Sequence, residues 1–235
     1  SSNPNVWILD LAGQSWSAVN NISTQSLSAG QGFLIYVFDD CDNNGSSDLP
    51  IDLFVSGNQN QSDVTINSIP QNNYYLAGNP YNKTIDWDEI SKTNLSGVIS
   101  VWDDALSDWK TYNGTSGDLT NGLIAPFQGF WVQALGGVGS FTIQLDDIAT
   151  SSATFVRSND PQNKFINLSF SKETKFDNIY FTFDSTSSKS YDFKDAIKLV
   201  PLTRAPRIAA MIISEGKTLK INSLPSNYDS VIVFP

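Results

Sequence analysis

The sequence contains no histidine, and its 235 residues include a single cysteine, Cys41. Without histidine a chain cannot form a Ser-His-Asp triad, a Cys-His dyad or a histidine-ligated zinc or iron site. One cysteine excludes a disulfide within the chain. No glycine-rich phosphate loop is present either, because residues 136–139 precede a predicted strand rather than a helix. These absences favour a protein that is not an enzyme.

Basic residues are also scarce. The 14 Lys and Arg stand against 24 Asp and Glu, which gives a formal net charge of −10. Such a surface repels phosphate backbones and anionic headgroups, so nucleic acid and acidic membranes are not expected as partners. No apolar run approaches the roughly 18 residues that span a bilayer, so no direct membrane insertion is expected. The chain begins without an initiator Met or a signal sequence, and we expect it to be a processed or excised piece.

Apolar residues alternate with polar ones in several short segments, which predicts half-buried β-strands. Examples are Val64 and Ile66; Phe141, Ile143 and Leu145; Ile179, Phe181 and Phe183; and Leu219 and Ile221. The continuous apolar run Phe33–Phe38 is too short for a typical helix and predicts a central strand. Helix signals are few, with one capping-box-like start at Asp86 that predicts a short helical turn through Ile90. We therefore predict an all-β fold of β-sandwich domains with short helical turns.

An internal repeat relates the two halves of residues 1–150. The residues Val6-Trp7, Trp16, Leu27, Ala29 and Gln31-Gly32-Phe33 recur as Val101-Trp102, Trp109, Leu123, Ala125 and Gln128-Gly129-Phe130. The offset is 95 residues at the first match and 97 at the last, which indicates a duplicated unit with a small insertion. The pattern predicts a duplicated β-sandwich domain over residues 1–150, with units at about 6–70 and 75–148. Because the tryptophans recur in both units, we expect them to pack in the core.

The composition changes after Leu145, where residues 146–153 are small or polar and the chain beyond them contains no tryptophan. We expect a boundary near residue 150 and a second β-sandwich-like domain over residues 151–235. A strand is predicted at Val231–Phe234, at the end of the sequence. We therefore expect this second domain to be truncated at its C-terminal end.

One segment has the spacing of a calcium-binding loop. Residues 40–48 read DCDNNGSSD, and this D-x-D-x-N-G-x-x-D pattern is similar to the calcium loops of EF-hand-like and thrombospondin type 3 repeats. The predicted ligands are Asp40, Asp42, Asn44 and Asp48. The bidentate acid expected at the twelfth position is replaced by Ile51, and the alternative is a solvated acidic turn.

Aromatic residues offer a second candidate site. Five of them, Tyr74, Tyr75, Tyr81, Trp87 and Trp131, are the candidates for an exposed patch. Flat aromatic faces of this kind bind sugar rings or a protein partner. Trp131 alternates with Phe130 and so is expected to point away from the core. The alternative for all five is ordinary core packing.

Glycoside hydrolysis is the remaining reaction that the sequence allows, because it needs only two carboxylates held across a cleft. The candidate acids are Asp86, Asp88, Asp103 and Asp104. Against this reading, adjacent acids on a strand point to opposite faces, and acids are common in turns. We expect no enzyme activity.

Five groups of residues match, in order, stretches of a known family. They are YLAGNPY at 75–81 with IDW at 85–87; VWD at 101–103 with YNG at 112–114; IAPFQGFWV at 124–132; DAIKL at 195–199; and LKINSLP at 219–225. In these stretches the chain resembles large surface proteins of Bacteroidota that are exported by type IX secretion. The shared order over most of the chain makes the resemblance fairly specific.

The resemblance implies a β-rich region that precedes a C-terminal sorting domain, which directs passage through an outer-membrane translocon. The translocon would then be a partner of the parent protein, and the location would be extracellular or on the outer-membrane surface. It also implies O-glycosylation at Ser185 and Ser230, which lie in short Asp-Ser patterns. The first unit lacks a Gly-Asn-Pro-Tyr lead-in, so we expect further sequence upstream. The resemblance supplies no catalytic residue and no ligand.

Three functions follow from these observations. The first is a non-catalytic extracellular module of a secreted or surface-anchored protein, serving as a spacer, an adhesive or a docking region for a glycan or a surface protein. The second is a carbohydrate-binding module of a secreted polysaccharide-degrading protein. The third is a carboxylate-dependent glycoside hydrolase. Calcium is the only cofactor that the sequence suggests.

Overall fold

The computed structural model describes residues 4–21, 23–40, 42–49, 58–104, 106–152, 165–173, 175–202 and 208–228. These residues form seventeen β-strands and no α-helix, which confirms the predicted all-β, sandwich-like fold. Three of the positions discussed above lie outside the described residues: Ile51, Ser230 and Val231–Phe234. No helix in the described part is long and apolar enough to cross a membrane.

The N-terminal sheet contains three antiparallel strands. Strands β1 (Val6–Asp10) and β2 (Ser15–Ala18) form a hairpin, and β3 (Leu34–Ile35) pairs with the other edge of β1. The expected central strand at Phe33–Phe38 is therefore wrong. Only two of its residues form a strand, which lies at the sheet edge because no second neighbour pairs with it among the described residues.

Residues 64–148 form a sandwich of two sheets. The strands are β4 (Val64–Ile69), β5 (Tyr74–Gly78), β6 (Ile85–Asp86), β7 (Ser91–Thr93), β8 (Ile99–Asp103), β9 (Asp108–Tyr112), β10 (Leu123–Ile124), β11 (Gly129–Gln133) and β12 (Gly139–Ile143). One sheet has the order β5-β11-β8-β9 and the other β4-β12-β7, while β6 and β10 form a separate pair. Strand β4 lies inside the first predicted unit, yet it pairs with β12 of the second.

Alternating side chains build the core between these two sheets. Phe130 and Val132 point inward and are almost fully buried, whereas Trp131 between them lies on the opposite face of β11. Phe141 and Ile143 of β12 project into the same core from the facing sheet. Each buried side chain of this size stabilises the fold by about 1.5–3 kcal/mol, so this alternation is what holds the two sheets together.

The repeated residues occupy the same strand order in both units. The hairpin of β1 and β2 corresponds to that of β8 and β9, and β3 corresponds to β11, so the orders β2-β1-β3 and β9-β8-β11 are equivalent. The registers of the hairpins differ, because Trp102 pairs with Trp109 whereas Trp16 pairs with Leu9 rather than with Trp7.

Strand β5 is shared by the two units. One of its edges pairs with β11, and its other edge accepts residues of the first unit. On that second edge the amide of Gly32 donates to the Leu76 carbonyl at 3.0 Å, and the amide of Gly78 donates to the Gly30 carbonyl at 3.0 Å. The Gln14 side-chain amide completes the edge by bonding both the backbone N–H and the carbonyl of Tyr74. The first unit is thus attached to the sandwich through β5.

The C-terminal part is one sheet. Its strands are β13 (Phe165–Lys172), β14 (Lys175–Asp184), β15 (Ala196–Ile197), β16 (Ile212–Ser214) and β17 (Lys217–Pro225). The order is β13-β14-β17-β15, with β16 also paired to β17, and only β14 and β17 run parallel. Tyr180, Ala196 and Ile221 pack together with Val98 of the sandwich. One apolar contact between the two parts is therefore made through this sheet.

Buried ion pairs also join the sandwich to the C-terminal sheet. Lys220 of β17 lies 2.6 Å from the Asp118 carboxylate and donates to the Trp109 carbonyl at 2.5 Å. Lys198, which follows β15, lies 2.6 Å from Asp177 of the same sheet and 3.5 Å from Asp108 of the sandwich. We call this set of contacts the junction.

Within the described ranges, helical structure is restricted to two short 3-10 turns, Thr120–Gly122 and Leu145–Asp147. The helical turn predicted from Asp86 is wrong, because Ile85–Asp86 is a strand and the next residues form a turn. The reason is tertiary. The Trp87 amide donates to the Gly122 carbonyl at 3.1 Å, and the Trp87 side chain enters the core, which holds the chain in this non-helical course.

Candidate functional site

The acidic loop, residues 39–48 apart from Cys41, brings three of the four predicted calcium ligands together. Asp40, Asp42 and Asp48 each place a carboxylate oxygen within 4.8 Å of the others. A hydrogen bond of 2.6 Å from the Asp48 amide to the Asp39 carbonyl closes the loop. Three converging carboxylates form an oxygen-rich arrangement of the kind that Ca²⁺ binds.

Hydrogen bonds within the acidic loop already orient these carboxylates. Asp40 accepts the amides of Asn44 at 3.1 Å and Gly45 at 2.8 Å, and the Gly45 bond is the main reason why the pKa of Asp40 is lowered. Asn44 donates its side-chain amide to Asp42 and accepts the Ser46 amide at 2.8 Å. Gly45 has a positive φ of 84°, which suits glycine at this turn. Asn44 therefore contacts Asp42 of the carboxylate cluster and helps to orient the loop.

Two of the five candidate aromatic residues are core residues. Tyr81 is 1% exposed, and its hydroxyl donates to the carbonyls of Ser62 and Ile143, both at 3.1 Å. Trp87 is 0% exposed, and its indole N–H donates to the Gly97 carbonyl at 2.8 Å. Because both rings are enclosed, neither offers a face to a ligand, and the expectation of an exposed patch is wrong for them.

The other three candidate aromatics are partly buried on β5 and β11. Tyr75 is on the core side, where its ring contacts Phe141 at 6.4 Å. Tyr74 and Trp131 are on the opposite face, with ring centroids 6.2 Å apart in an edge-to-face arrangement. Burial raises the pKa of the Tyr74 and Tyr75 hydroxyls. Only Tyr74 and Trp131 remain as candidates for a shared surface.

Three of the repeated tryptophans, Trp16, Trp102 and Trp109, lie on that same outer face; Trp109 is buried, as predicted, whereas Trp16 is exposed, which corrects the prediction for that residue. Edge-to-face contacts connect Trp16 to Trp131 at 5.8 Å, Trp131 to Trp109 at 6.4 Å, and Trp109 to Trp102 at 5.1 Å. We call these four residues the tryptophan ladder. Trp16 is 39% exposed, whereas Trp109 is only 5% exposed because the C-terminal part covers it. The Trp109 indole N–H donates to the Val200 carbonyl of that part at 2.9 Å.

A crevice of about 20 Å³ separates this outer face from the C-terminal part. Its lining includes Tyr74, Trp131, Gln133 and Asp195. A space of this size holds about one water molecule and is too small for a sugar ring. Asp195 is 3% exposed, and burial raises its pKa to about 6, although its carboxylate accepts the amides of Ser223 and Asp192.

The four candidate catalytic acids serve separate local contacts. Asp86 accepts the Asp88 amide at 3.0 Å, and Asp88 accepts the Tyr112 hydroxyl at 2.7 Å. Burial raises the pKa of Asp88. Asp103 is 1% exposed, accepts the Leu106 amide and lies 3.3 Å from Lys110. Asp104 accepts the Trp102 indole N–H at 3.4 Å. Each acid therefore has a structural partner.

Ser185 lies exposed in the turn that follows β14. The preceding Asp184 accepts the Thr186 amide and hydroxyl, both at 2.7 Å, and lies 2.7 Å from Lys194. These partners, Lys194 first, lower the pKa of Asp184 to about 2. The Ser185 side chain is thus exposed on a turn that these contacts of Asp184 hold in place.

The motif residues that carry the family resemblance are scaffold. Asn79 is buried, and its side-chain amide donates to the carbonyls of Lys83, Ile124 and Ala125. In a similar way the Gln128 side chain accepts the Ala125 amide at 3.0 Å. Asn79 of the GNPY motif is therefore bonded to the IAPFQG motif, whose own loop is held by Gln128.

The junction lysines are the residues that sequence reasoning missed. Lys220 is 2% exposed, and Lys198 is largely buried. Burial lowers the pKa of Lys220, but the nearby Asp118 outweighs it, so the pKa is raised overall. The available signal was a lysine between Leu219 and Ile221 in a strand whose neighbours are apolar. A lysine there is buried only when an acid pairs with it.

Comparison with known proteins adds no relative. No protein-family model, no curated protein and no solved structure matches the chain.

Proposed function

We propose that the chain is a non-catalytic module of a secreted or surface-anchored protein that is exported by type IX secretion, where it serves as a spacer or docking region. The observation that carries the proposal is the use of the motif residues at the junction. Lys198 of the DAIKL motif and Lys220 of the LKINSLP motif both reach acids of the sandwich. The motifs thus unite the two parts of the chain, which is a mechanical role.

The surroundings of the candidate acids support a non-catalytic role. Asp103 is paired with Lys110, and Asp88 is bonded to Tyr112. A glycoside hydrolase needs two carboxylates that face each other across an open cleft. The ordered turn at Ser185 suits an extracellular protein that carries O-linked sugars.

The test is export of the parent protein from its own cell. An antibody against this chain should label the surface of intact cells, or detect the protein in the medium. Inactivation of the outer-membrane translocon should retain the protein inside the cell envelope. Unchanged surface labelling without the translocon would contradict this route of export.

A carbohydrate-binding module is the second candidate, and the exposed end of the tryptophan ladder favours it. Trp16 is 39% exposed beside Trp131 and Tyr74, and indole faces stack on sugar rings. Affinity electrophoresis on polysaccharide gels would test it. Retarded migration of the wild-type chain that is lost in Trp16→Ala, but kept in the exposed Val138→Ala control, would support this function.

Calcium binding by the acidic loop is a proposal that fits either function. The convergence of Asp40, Asp42 and Asp48 supports it. In an extracellular module a bound ion would stiffen a surface loop, at the millimolar to submillimolar affinities typical of such modules.

A further inference from the structure

A bulky residue occupies a glycine position in the turn that precedes β11. The Gln128 amide donates to the Ala125 carbonyl at 3.1 Å, which makes Pro126 the second residue of a β-turn and Phe127 the third. Phe127 has a positive φ of 58°. Proline at the second position and a positive φ at the third are features of a type II turn, whose third residue is usually glycine or asparagine.

The internal repeat contains the matching turn with glycine in that place. The Gln31 amide donates to the Ser28 carbonyl at 3.0 Å, and the third residue, Gly30, has a φ of 79°. In both turns the glutamine side chain also accepts the amide of the first residue, at 3.3 Å from Ser28 and at 3.0 Å from Ala125. The two turns are equivalent, and the second carries phenylalanine where the first carries glycine.

Phe127 is unfavourable for folding at this position. A left-handed backbone brings the Cβ of a side chain too close to a carbonyl oxygen, and burial does not offset this because the residue is 58% exposed. Asn79 holds the turn by bonding the carbonyls of Gln128 and Ala125. Backbone strain that is held in this way is characteristic of functional positions. The ring is thus presented to solvent on a fixed turn.

Phe127 lies at one end of the β5-β11-β8-β9 sheet, at the level of Asp104. Trp131 of β11 pairs with Ser100 of β8, and continuation of this antiparallel register places residue 127 opposite residue 104. Asp104 is exposed and begins the turn between β8 and β9, where its carbonyl accepts the Ser107 amide at 3.1 Å.

The same turn connects this end of the sandwich to the C-terminal sheet. Leu106, in the turn, is 40% exposed and lines a crevice together with Phe176 of β14, which is 48% exposed. Lys175, next to Phe176, is also exposed. We call Asp104, Leu106, Phe127, Lys175 and Phe176 the end patch. Its centre is apolar, with an acid on the sandwich side and a lysine on the other.

The two parts of the chain that meet at the end patch have opposite net charge. Residues 1–150 contain 3 Lys and Arg against 16 Asp and Glu, a net charge of −13, whereas residues 151–235 contain 11 against 8, a net charge of +3. An asymmetry of this size favours contact between the acidic part of one molecule and the basic part of another.

The basic side of the end patch also has a local reason to accept a carboxylate. Lys175 pairs directly with Lys172 across the β13–β14 hairpin, and like charges in this position repel each other. Glu173 in the intervening turn leaves the end of the hairpin with a net charge of +1. A carboxylate from another molecule would therefore be stabilising there.

We propose that the end patch docks on the end patch of a second copy of the chain, in a two-fold symmetric dimer. The two-fold axis would bring Asp104 of each copy to Lys175 of the other, and Phe127 of each copy to Phe176 of the other. The net charge of −10 on each copy opposes association weakly, because charges more than about 8 Å apart are screened at physiological ionic strength. The dimer supplies a partner for the docking role proposed above and rests on that role.

The first test is sedimentation velocity of the intact chain at concentrations up to about 1 mM. The wild type should show a monomer–dimer equilibrium. Phe127→Gly should raise the dimer Kd at least tenfold, and its thermal unfolding midpoint in dilute solution should equal or exceed that of the wild type, because glycine relieves the strained turn. Val138→Ala, at the other end of β11, is the control and should change neither quantity.

Charge reversal tests the orientation of the two copies. Asp104→Lys and Lys175→Glu should each weaken the dimer, because each places like charges in contact. The double variant should restore it, because the ion pair forms again with its polarity reversed. Circular dichroism would establish that the variants fold, and Phe127→Gly decides the matter if Asp104→Lys does not fold.

Four results would overturn the proposal. They are a wild-type chain that stays monomeric at about 1 mM; a dimer of unchanged affinity in Phe127→Gly; a lower unfolding midpoint in Phe127→Gly, which would mean that the ring supports the fold; and a folded double charge variant that does not recover the dimer. None of these results bears on export, so failure of this proposal and failure of the proposed function are distinguishable.

Discussion

At the scale of single residues, the acidic loop is the clearest case in which sequence spacing predicted spatial convergence. The spacing was sufficient because the loop closes within ten residues, through the Gly45 bond to Asp40 and the Asp48 bond to Asp39, and these hydrogen bonds are local. The aromatic candidates behaved differently. Whether Tyr81 or Trp87 is enclosed depends on strands that lie far away in sequence, and no local pattern contains that information.

We expect calcium to stabilise the chain through the acidic loop. The thermal unfolding midpoint should be higher in excess Ca²⁺ than in chelator. At a Ca²⁺ concentration a hundredfold above Kd, the free energy of unfolding should increase by about 2.7 kcal/mol. Asp42→Asn should remove this shift, because it removes a carboxylate from the cluster. Asp10→Asn, in another exposed turn, is the control. An equal midpoint in calcium and chelator would refute the site.

Asp195 should make stability depend on pH. Its folded-state pKa is raised by burial to about 6 from an ordinary value of 3.8, so the folded state binds more protons between these values. The free energy of unfolding should therefore fall as pH rises from about 4 to about 6, by roughly 1–3 kcal/mol, and level off above that range.

The measurement for Asp195 is urea unfolding at a series of pH values. Asp195→Asn should flatten the slope between pH 4 and 6, whatever its effect on absolute stability. The exposed Asp146→Asn is the control and should keep the slope. A wild-type profile that rises with pH over this interval would mean that other groups dominate.

At the scale of strands, Gly32 and Gly129 are equivalent in the repeat and lie on opposite sides of the shared strand β5. Gly32 lies closer to β5 than Gly129 does. A Cβ on Gly32 would lie 2.6 Å from the Ala77 carbonyl oxygen and 2.7 Å from Leu76 Cγ. A Cβ on Gly129 would lie 3.7 Å from the same oxygen, which is ordinary van der Waals contact. The two positions are thus identical in sequence but unequal in space.

This inequality predicts unequal effects of alanine. Gly32→Ala should destabilise the chain by about 1–3 kcal/mol, because the backbone of residues 30–32 must move away from β5. Gly129→Ala should cost less than about 1 kcal/mol, because its new methyl group has room. Urea unfolding of both variants, followed by circular dichroism, would decide. A larger effect at Gly129 would contradict the shared-strand arrangement.

The repeat could be recognised from sequence, but its placement could not. The order Val-Trp, Trp, Gln-Gly-Phe predicts which strands are equivalent, since alternation and turns are local. It does not predict that the first copy attaches to β5 of the second. That attachment depends on two long-range contacts. The Gln14 side chain bonds the backbone of Tyr74, as a neighbouring strand would, and Gly32 lies close against β5. The same reason explains the error at Phe33–Phe38.

At the scale of the whole molecule, the junction joins the sandwich and the C-terminal sheet through buried charge. Lys220 and Asp118 are separated by 102 residues in sequence and by 2.6 Å in space, with Lys220 almost fully enclosed. An ion pair in this setting is costly to break from one side only, because the remaining charge stays buried without its partner.

Removing one partner should therefore destabilise the chain more than removing both. Lys220→Met is expected to cost about 3–5 kcal/mol, and adding Asp118→Asn should recover part of that loss. Differential scanning calorimetry would give the stabilities and would show whether the two parts still unfold in one transition. Additive effects of the two substitutions would argue against coupling across the junction.

The shared strand β5 also determines when the N-terminal segment can fold during synthesis. Residues 30–32 leave the ribosome before residues 74–78, yet they have no strand to pair with until β5 exists and is itself fixed by β11 near residue 130. The N-terminal segment is therefore made before the strands on which its attachment depends. Over that interval its apolar run at residues 33–38 has no strand to pair with, so we expect a slow phase in the folding of this segment.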